Sequence, residues 1–490
     1  KQLTPNNYRG RKHMLSFIGS LIALVVGYIL YGTVVEKIFG VNSEAETPAY
    51  AQQDGVDYVP LSWPRTFLIQ LLNIAGLGPI FGAIAGALFG PAAFIWIVLG
   101  SIFAGGVHDY LSGMLSIRNG GATISEVVGE YLGEGARQFM RVFSVVLLVL
   151  VGTVFMRGPA DLLANMTSWN VNLLLGAIIV YYFFATVLPV DKIISKLYPI
   201  LGGSLLIMAL GIGGGLMIGD YQIPNITLAN MHPEELSMWP MLFVTIACGA
   251  ISGFHATQSP LMARCLKDEK NGRKVFYGAM ITEGVIALVW AAAAMTFFGG
   301  TEGLSGAMAQ HGGPAGIVKL ISDNMLGVVG GILAMLGVVA LPISSGDTAF
   351  RSARLILADI FNLDQKDNAN RFKLAIPMFA VGIALSQMDF SVIWRYFAWS
   401  NQTLAMIALW AGAVYLLQEE KFHWIATLPA TFMTAVSITY ILTAPEGFGI
   451  QGSLPTIVGV LAALGALGLF LFKGQQDTVG SEAGLAVSED

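Results

Sequence analysis

The sequence predicts an all-α, polytopic membrane protein of about thirteen spanning helices. Three observations predict it. Of the 490 residues, 55% are hydrophobic and 12% charged, about half the charged share of a soluble domain. Mean hydropathy is +0.68, and so much apolar surface cannot be hidden in a soluble particle without large exposed patches. About thirteen apolar stretches approach the ~20 residues that a spanning helix needs. Stretches such as 205–215 and 281–298 are apolar all round, which suits helices rather than the alternating strands of a barrel. Net charge is −5 with no basic stripe, so nucleic acid is excluded as a partner and lipid is the expected one. The two cysteines, Cys248 and Cys265, make no disulfide framework, and no CxxC or Cys/His spacing suggests zinc.

In chain order the spans fall at 14–35, 64–89, 91–117, 139–160, 171–189, 198–219, 239–262, 275–298, 326–346, 373–388, 390–417, 422–443 and 454–473. Segment 14–35 is too long, and too well followed by other spans, for a cleaved signal peptide. Lys and Arg set the orientation. Five lie in 263–274, after span seven, and five in 351–373, after span nine. These segments share a side by parity, expected to be cytoplasmic. Arg118, Arg137, Arg141, Lys192, Lys196 and Lys421 fall on the same side, and the 220–238, 299–325 and 444–453 loops on the other. Residues 1–13 break the pattern: parity places them outside, yet they hold Lys1, Arg9, Arg11 and Lys12.

Helix-breaking residues recur at matching positions. Span two carries Gly76-Leu77-Gly78-Pro79, and span seven carries the polar run from Ser252 to Pro260. Spans four and nine each carry a proline followed by polar residues, at Pro159 and Pro342. Both pairs are five spans apart. That odd offset inverts the second copy in the membrane, and broken helices in two inverted halves mark a secondary transporter's binding site. Unwinding frees backbone groups that hydrocarbon cannot satisfy, so each break must meet something polar or a cavity.

Ionisable and polar groups inside spans are costly and line pathways. The expected substrate site takes Asn73, Gly76 and Gly78 from span two, Ser252, Gly253, His255, Thr257, Gln258 and Ser259 from span seven, and Asn401 from span eleven. His255 is read as the middle of the span-seven break. Candidates for ion coupling are His108 and Asp109 at the end of span three, Glu283 in span eight, and Ser344, Ser345, Asp347 and Thr348 in span nine. A neighbouring carboxylate makes His108 a proton-relay candidate. Glu283 has two candidate partners, Arg395 and His255. Arg157–Asp161 and Asp347–Arg351 are spaced for i,i+4 pairs. The segment 54–60, DGVDYVP, reads as either a gate or an interfacial turn. No Walker A, HExxH or GxSxG motif occurs, and no cofactor is expected.

Four stretches, DGVDYVP at 54–60, IAGLGP at 74–79, TIACGAISGFH at 245–255 and DTAFRSAR at 347–354, resemble the carbon starvation protein A family. The likeness runs in order from about residue 15 to about 440. It implies a bacterial or archaeal plasma-membrane importer of peptides or pyruvate, often proton-coupled and linked to nutrient limitation. It also implies the LeuT-like five-plus-five inverted repeat of the amino acid–polyamine–organocation superfamily. In that fold a cation often sits between the first broken helix and the eighth core helix. Here that would be an Na⁺ site at Ala75, Gly78, Ser344 and Ser345, the alternative to protons. Longer members carry a span before span one, which would resolve the parity conflict at residues 1–13. After His255 the chain reads Ala-Thr-Gln-Ser-Pro, where other members have a longer Gly/Thr-rich stretch.

The expected organisation is a tail, first span and loop at 1–63, a five-helix repeat at 64–219, its inverted copy at 239–417, two peripheral spans at 422–473 and a cytoplasmic tail at 474–490. The expected function is secondary active import of a small molecule. A channel, a sensor and an enzyme are the weaker rivals, and the sequence sets no oligomeric state.

Overall fold

The structure, a computed structural model, describes residues 14–486 apart from 56, 187–190, 220 and 366, with side chains left out at 191–198 and 474–486. Residues 1–13 and the charges read there lie outside the described residues. Every predicted span is helical, but not every one stands alone. Among the described residues, nine helices are long and apolar enough to cross a membrane, or ten with the bent pair Trp63–Ile74 and Gly78–Phe89 taken as one span. The thirteen expected segments include shorter, split and merged helices that this count passes over. Span five is the shorter helix Val171–Ala185. Span seven is split into Met238–Thr245 and Gly253–Ala263. Span ten, Asn368–Ser386, holds Arg371 and Lys373 near its start. Span nine lies within a 48-residue helical run, Pro314–Phe361. The last helix continues through 474–486.

The core follows from apolar helices with small residues at their contacts. With lipid outside, helix association rests on close packing and polar links rather than on hydrophobic burial. Span four, Glu134–Thr167, is the central post, with spans nine, ten and eleven against it. Pro159 lies inside it, and the helix is continuous through that residue.

Residues that parity assigns to the same side make contacts with one another. At one end Arg118 binds Glu269 through Nε at 2.6 Å and Nη2 at 2.8 Å, and donates to the Gly40 carbonyl at 2.9 Å. Arg273 reaches Glu36 at 2.9 Å, and the Lys421 ammonium donates to the Phe39 carbonyl at 2.8 Å. These contacts tie together the ends of spans one, three, eight and eleven. At the other end Ser16 accepts from the Ile226 amide at 3.0 Å, and Arg395 pairs with Glu446 at 2.8 Å. Arg395 is therefore no partner for Glu283.

Candidate functional site

The break in span two forms where expected. The helix ends at Ile74, Ala75 leaves helical geometry (φ −81°, ψ 59°), and Pro79 follows a bend of 57°. A π-helical turn, Gly78–Gly82, restarts the chain. Pro79 stands in the first turn of the renewed helix, where its missing N–H leaves no bond unmade.

The break in span seven lies elsewhere than predicted. It occupies 246–252, between Thr245 and Gly253, and its pivot is Gly249 at φ +92°. That left-handed conformation favours glycine. The run 253–263 is helical, with Pro260 inside it. His255 therefore sits in the first turn of the second half-helix rather than in the middle of the break. Membrane helices tolerate an internal proline where neighbours re-satisfy the backbone.

The freed carbonyls of this break have named partners. The Trp96 indole donates to the Ile246 carbonyl at 3.0 Å, and Ser101 Oγ to the Gly249 carbonyl at 2.9 Å. Ser101 belongs to a π-helical turn, Gly100–Gly105, in span three. Asn401 Oδ1 accepts from Ser252 Oγ and from the Phe254 amide, both at 2.8 Å. Asn401 thereby caps the half-helix that begins at Gly253, where a Cβ would come within 2.5 Å of the Asn401 carbonyl.

The two breaks touch. A Cβ built on Gly78 would lie 2.1 Å from Cys248 Cβ and 2.5 Å from its Sγ. Beside this contact lies a fully buried ionisable chain. Asp109 Oδ1 meets His108 Nδ1 at 2.7 Å, and Asp109 Oδ2 meets His255 Nδ1 at 2.9 Å. His255 Nε2 is 3.2 Å from Glu283 Oε2, without the alignment of a hydrogen bond. Of the two partners open to Glu283, the structure selects His255. The Cys248 thiol, which donates to Ser252 Oγ at 3.3 Å, completes the group. A carboxylate held between two imidazoles, with a second carboxylate beyond, can take up and pass protons or accept a cation.

The other predicted residues divide. Gln70 of span two donates to Ser259 Oγ at 3.1 Å, linking the second half of span seven to the helix that holds buried Asn73. Thr257 Oγ1 donates to the Phe254 carbonyl at 2.7 Å and accepts from Gln258 Nε2 at 3.0 Å. In span nine Ser344 and Ser345 both donate to the Leu341 carbonyl, at 2.7 and 3.2 Å, and Thr348 to Ser344 at 3.2 Å. Asp347 pairs with Arg351 at 3.2 Å, and Arg157 with Asp161 at 2.9 Å. Phe155 of span four stands between the span-two break and span nine: its ring crowds Gly76 and its Cβ faces Gly346. The structure thus does not bring the hydroxyls of Ser344 and Ser345 into hydrogen bonding with Ala75–Gly78. The 54–60 segment closes over the charged end. Tyr58 donates to the Gly120 carbonyl at 3.4 Å under the Arg264 guanidinium, and the Leu61 amide donates to the Cys265 carbonyl at 2.9 Å.

Trp96, Ser101, Cys248, Gln70 and Phe155 escaped sequence reasoning. Only Cys248 carried a signal, a thiol within TIACG just before the polar run.

Known proteins place this arrangement. The chain resembles a manganese transporter mutant from Eremococcus coleocola at 13% identity and a TM-score of 0.54, covering 89% of this chain and 99% of that one. It resembles MhsT in complex with L-phenylalanine at 14% identity and a TM-score of 0.54, covering 84% and 98%. These likenesses show a shared fold. By sequence the chain is 44% identical to a Haemophilus influenzae protein named as an uncharacterized membrane protein, over 60% of this chain and 94% of that one. It is 26% identical to peptide transporter CstA of Bacillus subtilis, over 86% and 89%. It is 24% identical to the pyruvate/proton symporter BtsT of Escherichia coli, over 56% and 47%. The profile of the family described as carbon starvation protein CstA matches residues 12–171, 157–301 and 299–440. With apolar helices throughout and a fold shared with solved transporters, this multi-pass membrane protein belongs to the carbon starvation protein CstA family.

Proposed function

We propose that the chain is a secondary active importer of a small carboxylate-bearing nutrient, of the peptide or pyruvate-like class, driven by protons. One observation carries the reading: the buried chain His108–Asp109–His255–Glu283 lies against two broken helices that meet at Gly78 and Cys248. Buried carboxylates and imidazoles at a helix break are expensive in a membrane and are kept where an ion or substrate passes. With all thirteen helical segments taken as spans, 64–219 and 239–417 are the inverted five-helix halves. Residues 1–63 and 422–473 are then peripheral, and 474–490 is cytoplasmic. The names of the Bacillus subtilis and Escherichia coli relatives support the substrate class and the coupling ion.

Direct contact between the breaks makes this a closed state. A substrate at the predicted site separates Gly78 from Cys248 and meets the N-terminus of the half-helix at Gly253. The helix dipole there favours a carboxylate, and the Asn401 oxygen holds the place meanwhile. Alternating access follows from rocking one helix bundle against the other.

Uptake of labelled pyruvate and dipeptides into proteoliposomes tests the reading. Uptake should collapse with a protonophore, persist without Na⁺, show counter-flow stimulation, and lose its dependence on the pH gradient in Asp109→Asn. A requirement for Na⁺ at constant pH, weakened by Ser345→Ala, would move coupling to a sodium site at Ala75, Gly78, Ser344 and Ser345. Flux without counter-flow stimulation would make the protein a channel.

A further inference from the structure

We propose that Cys248, His255 and Glu283 form a binding site for a borderline-soft divalent cation of the zinc class, set where the two breaks meet. The inference goes beyond the uptake reading, and its test has no transport step. The Cys248 sulfur, a ring nitrogen of His255 and a carboxylate oxygen of Glu283 all lie within 4.8 Å of one another. Bonds of about 2.0–2.3 Å in a tetrahedral zinc site put ligand atoms about 3.3–3.8 Å apart. The His255–Glu283 pair is already at 3.2 Å, so only a small contraction around the sulfur is needed.

Three further observations point to a cation rather than to ordinary packing. First, the histidine is set up as a ligand. Asp109 holds Nδ1 at 2.9 Å and is itself held by His108 at 2.7 Å. That places the Nε2 lone pair towards Glu283, the carboxylate–histidine–metal arrangement that fixes ligating imidazoles. Second, the atoms on that side make a charge contact with each other but no hydrogen bond. His255 Nε2 and both Glu283 oxygens are fully buried without a hydrogen-bond partner. Third, the charges fit. Asp109 and Glu283 face two imidazoles, and no Lys or Arg pairs with either among the described residues. A divalent cation on a thiolate and a carboxylate is neutral, and the Asp109 charge stays on its histidines.

The donor set names the class of ion. Sulfur, nitrogen and one oxygen select zinc and its late first-row neighbours over Mg²⁺ and Ca²⁺, which take oxygen ligands. Three protein ligands leave a fourth position open. Cys248 lies in the break of span seven, His255 on its second half and Glu283 on span eight, so the ion pins the broken helix to its neighbour.

Co²⁺ is the probe. The purified full chain, stripped with chelator, is titrated with Co²⁺ and followed by absorbance. One ion per chain should bind, with a sulfur-to-cobalt charge-transfer band and the intense ligand-field bands of four-coordination, and Zn²⁺ should displace it. Cys265→Ser should keep the charge-transfer band and Cys248→Ser should lose it. Asp109→Asn should weaken binding by about 10- to 100-fold. In the unmodified protein, Zn²⁺ should protect Cys248 and not Cys265 from alkylation, read by peptide mass spectrometry. This second readout does not depend on how a variant folds. No charge-transfer band in folded, monodisperse protein, a band that survives Cys248→Ser, or alkylation of Cys248 indifferent to Zn²⁺ would each overturn the site. Uptake that fails its own test leaves these results untouched.

Discussion

Gly78→Ala tests the contact on which the closed state depends. The added methyl would sit 2.1 Å from Cys248 Cβ and 2.5 Å from Cys248 Sγ. Carbon atoms pack best at about 3.5–4.0 Å, so the two breaks must part by about 1.5 Å. The neighbouring chain cannot yield easily, because a Cβ on Gly249 would already lie 2.7 Å from Ala287 Cβ and 3.5 Å from Pro79 Cα. Overpacking of this kind costs about 1–3 kcal/mol, a shift of about 5- to 150-fold against the closed state. Thermal unfolding in detergent should show a lower midpoint, and substrate uptake a lower maximal rate. The partner gives the sharper signature. The tighter overlap is with Cys248 Cβ, which alanine keeps, so Cys248→Gly should restore the Gly78→Ala protein and Cys248→Ala should not. Equal rescue by both, or a Gly78→Ala protein with unchanged stability and uptake, would show that the breaks do not pack in this way.

Three further predictions concern other parts of the molecule. Cysteines placed at Asp268 and Asn230, in a Cys265→Ser background, should react with an impermeant thiol reagent only after permeabilisation at 268 and on intact cells at 230. The reverse pattern would invert the orientation. Arg118→Met removes the guanidinium from the Glu269 carboxylate, whose side chain is 1% exposed, and leaves it the Asn42 amide at 2.9 Å. Breaking a buried pair costs ~3–5 kcal/mol, and partial exposure of Arg118 sets the expected loss, read by thermal unfolding, at the low end. Burial beside Phe89 holds the loop residue His232 below the ordinary imidazole value. Its neutral form therefore stabilises the docked loop above pH ~6.5, and that contribution is lost as pH falls towards the lowered value. The hydrogen-exchange protection of 225–238, corrected for the intrinsic pH dependence of exchange, should fall on acidification and stay flat in His232→Gln.

The sequence held the helices and their order, because these are written in local properties. A run of apolar residues is a helix in lipid for reasons that need no tertiary information. Of the five Lys/Arg after span seven, Arg273 lies at the end where Arg118, Glu269 and Lys421 gather. The place of a break is less local. Pro260 and Gly249 are equally strong punctuation on paper. The helix runs through Pro260, while Gly249 carries the left-handed turn. The difference lies in what surrounds each, namely whether neighbours can receive the backbone groups that a break sets free.

That dependence explains why the candidate site was half legible. His255, Asp109, Glu283 and Asn401 stood out because polar groups are rare in these spans, but their partners lie as far as 149 residues away in sequence. Trp96 and Ser101 gave no warning at all, since an indole and a hydroxyl in an apolar span are unremarkable until a carbonyl is set before them. In the structure they supply the polar company that a helix break in hydrocarbon requires: Trp96 takes the Ile246 carbonyl, Ser101 the Gly249 carbonyl, and Asn401 the Phe254 amide. The π-helical turn at Gly100–Gly105 carries Ser101 and is followed at once by the helix that bears His108 and Asp109. Span three therefore satisfies the broken backbone of span seven with one segment and grips its histidine with the next. Moving the second half of span seven must disturb both sets of bonds together, which couples the shape of the break to the ion chemistry at His255.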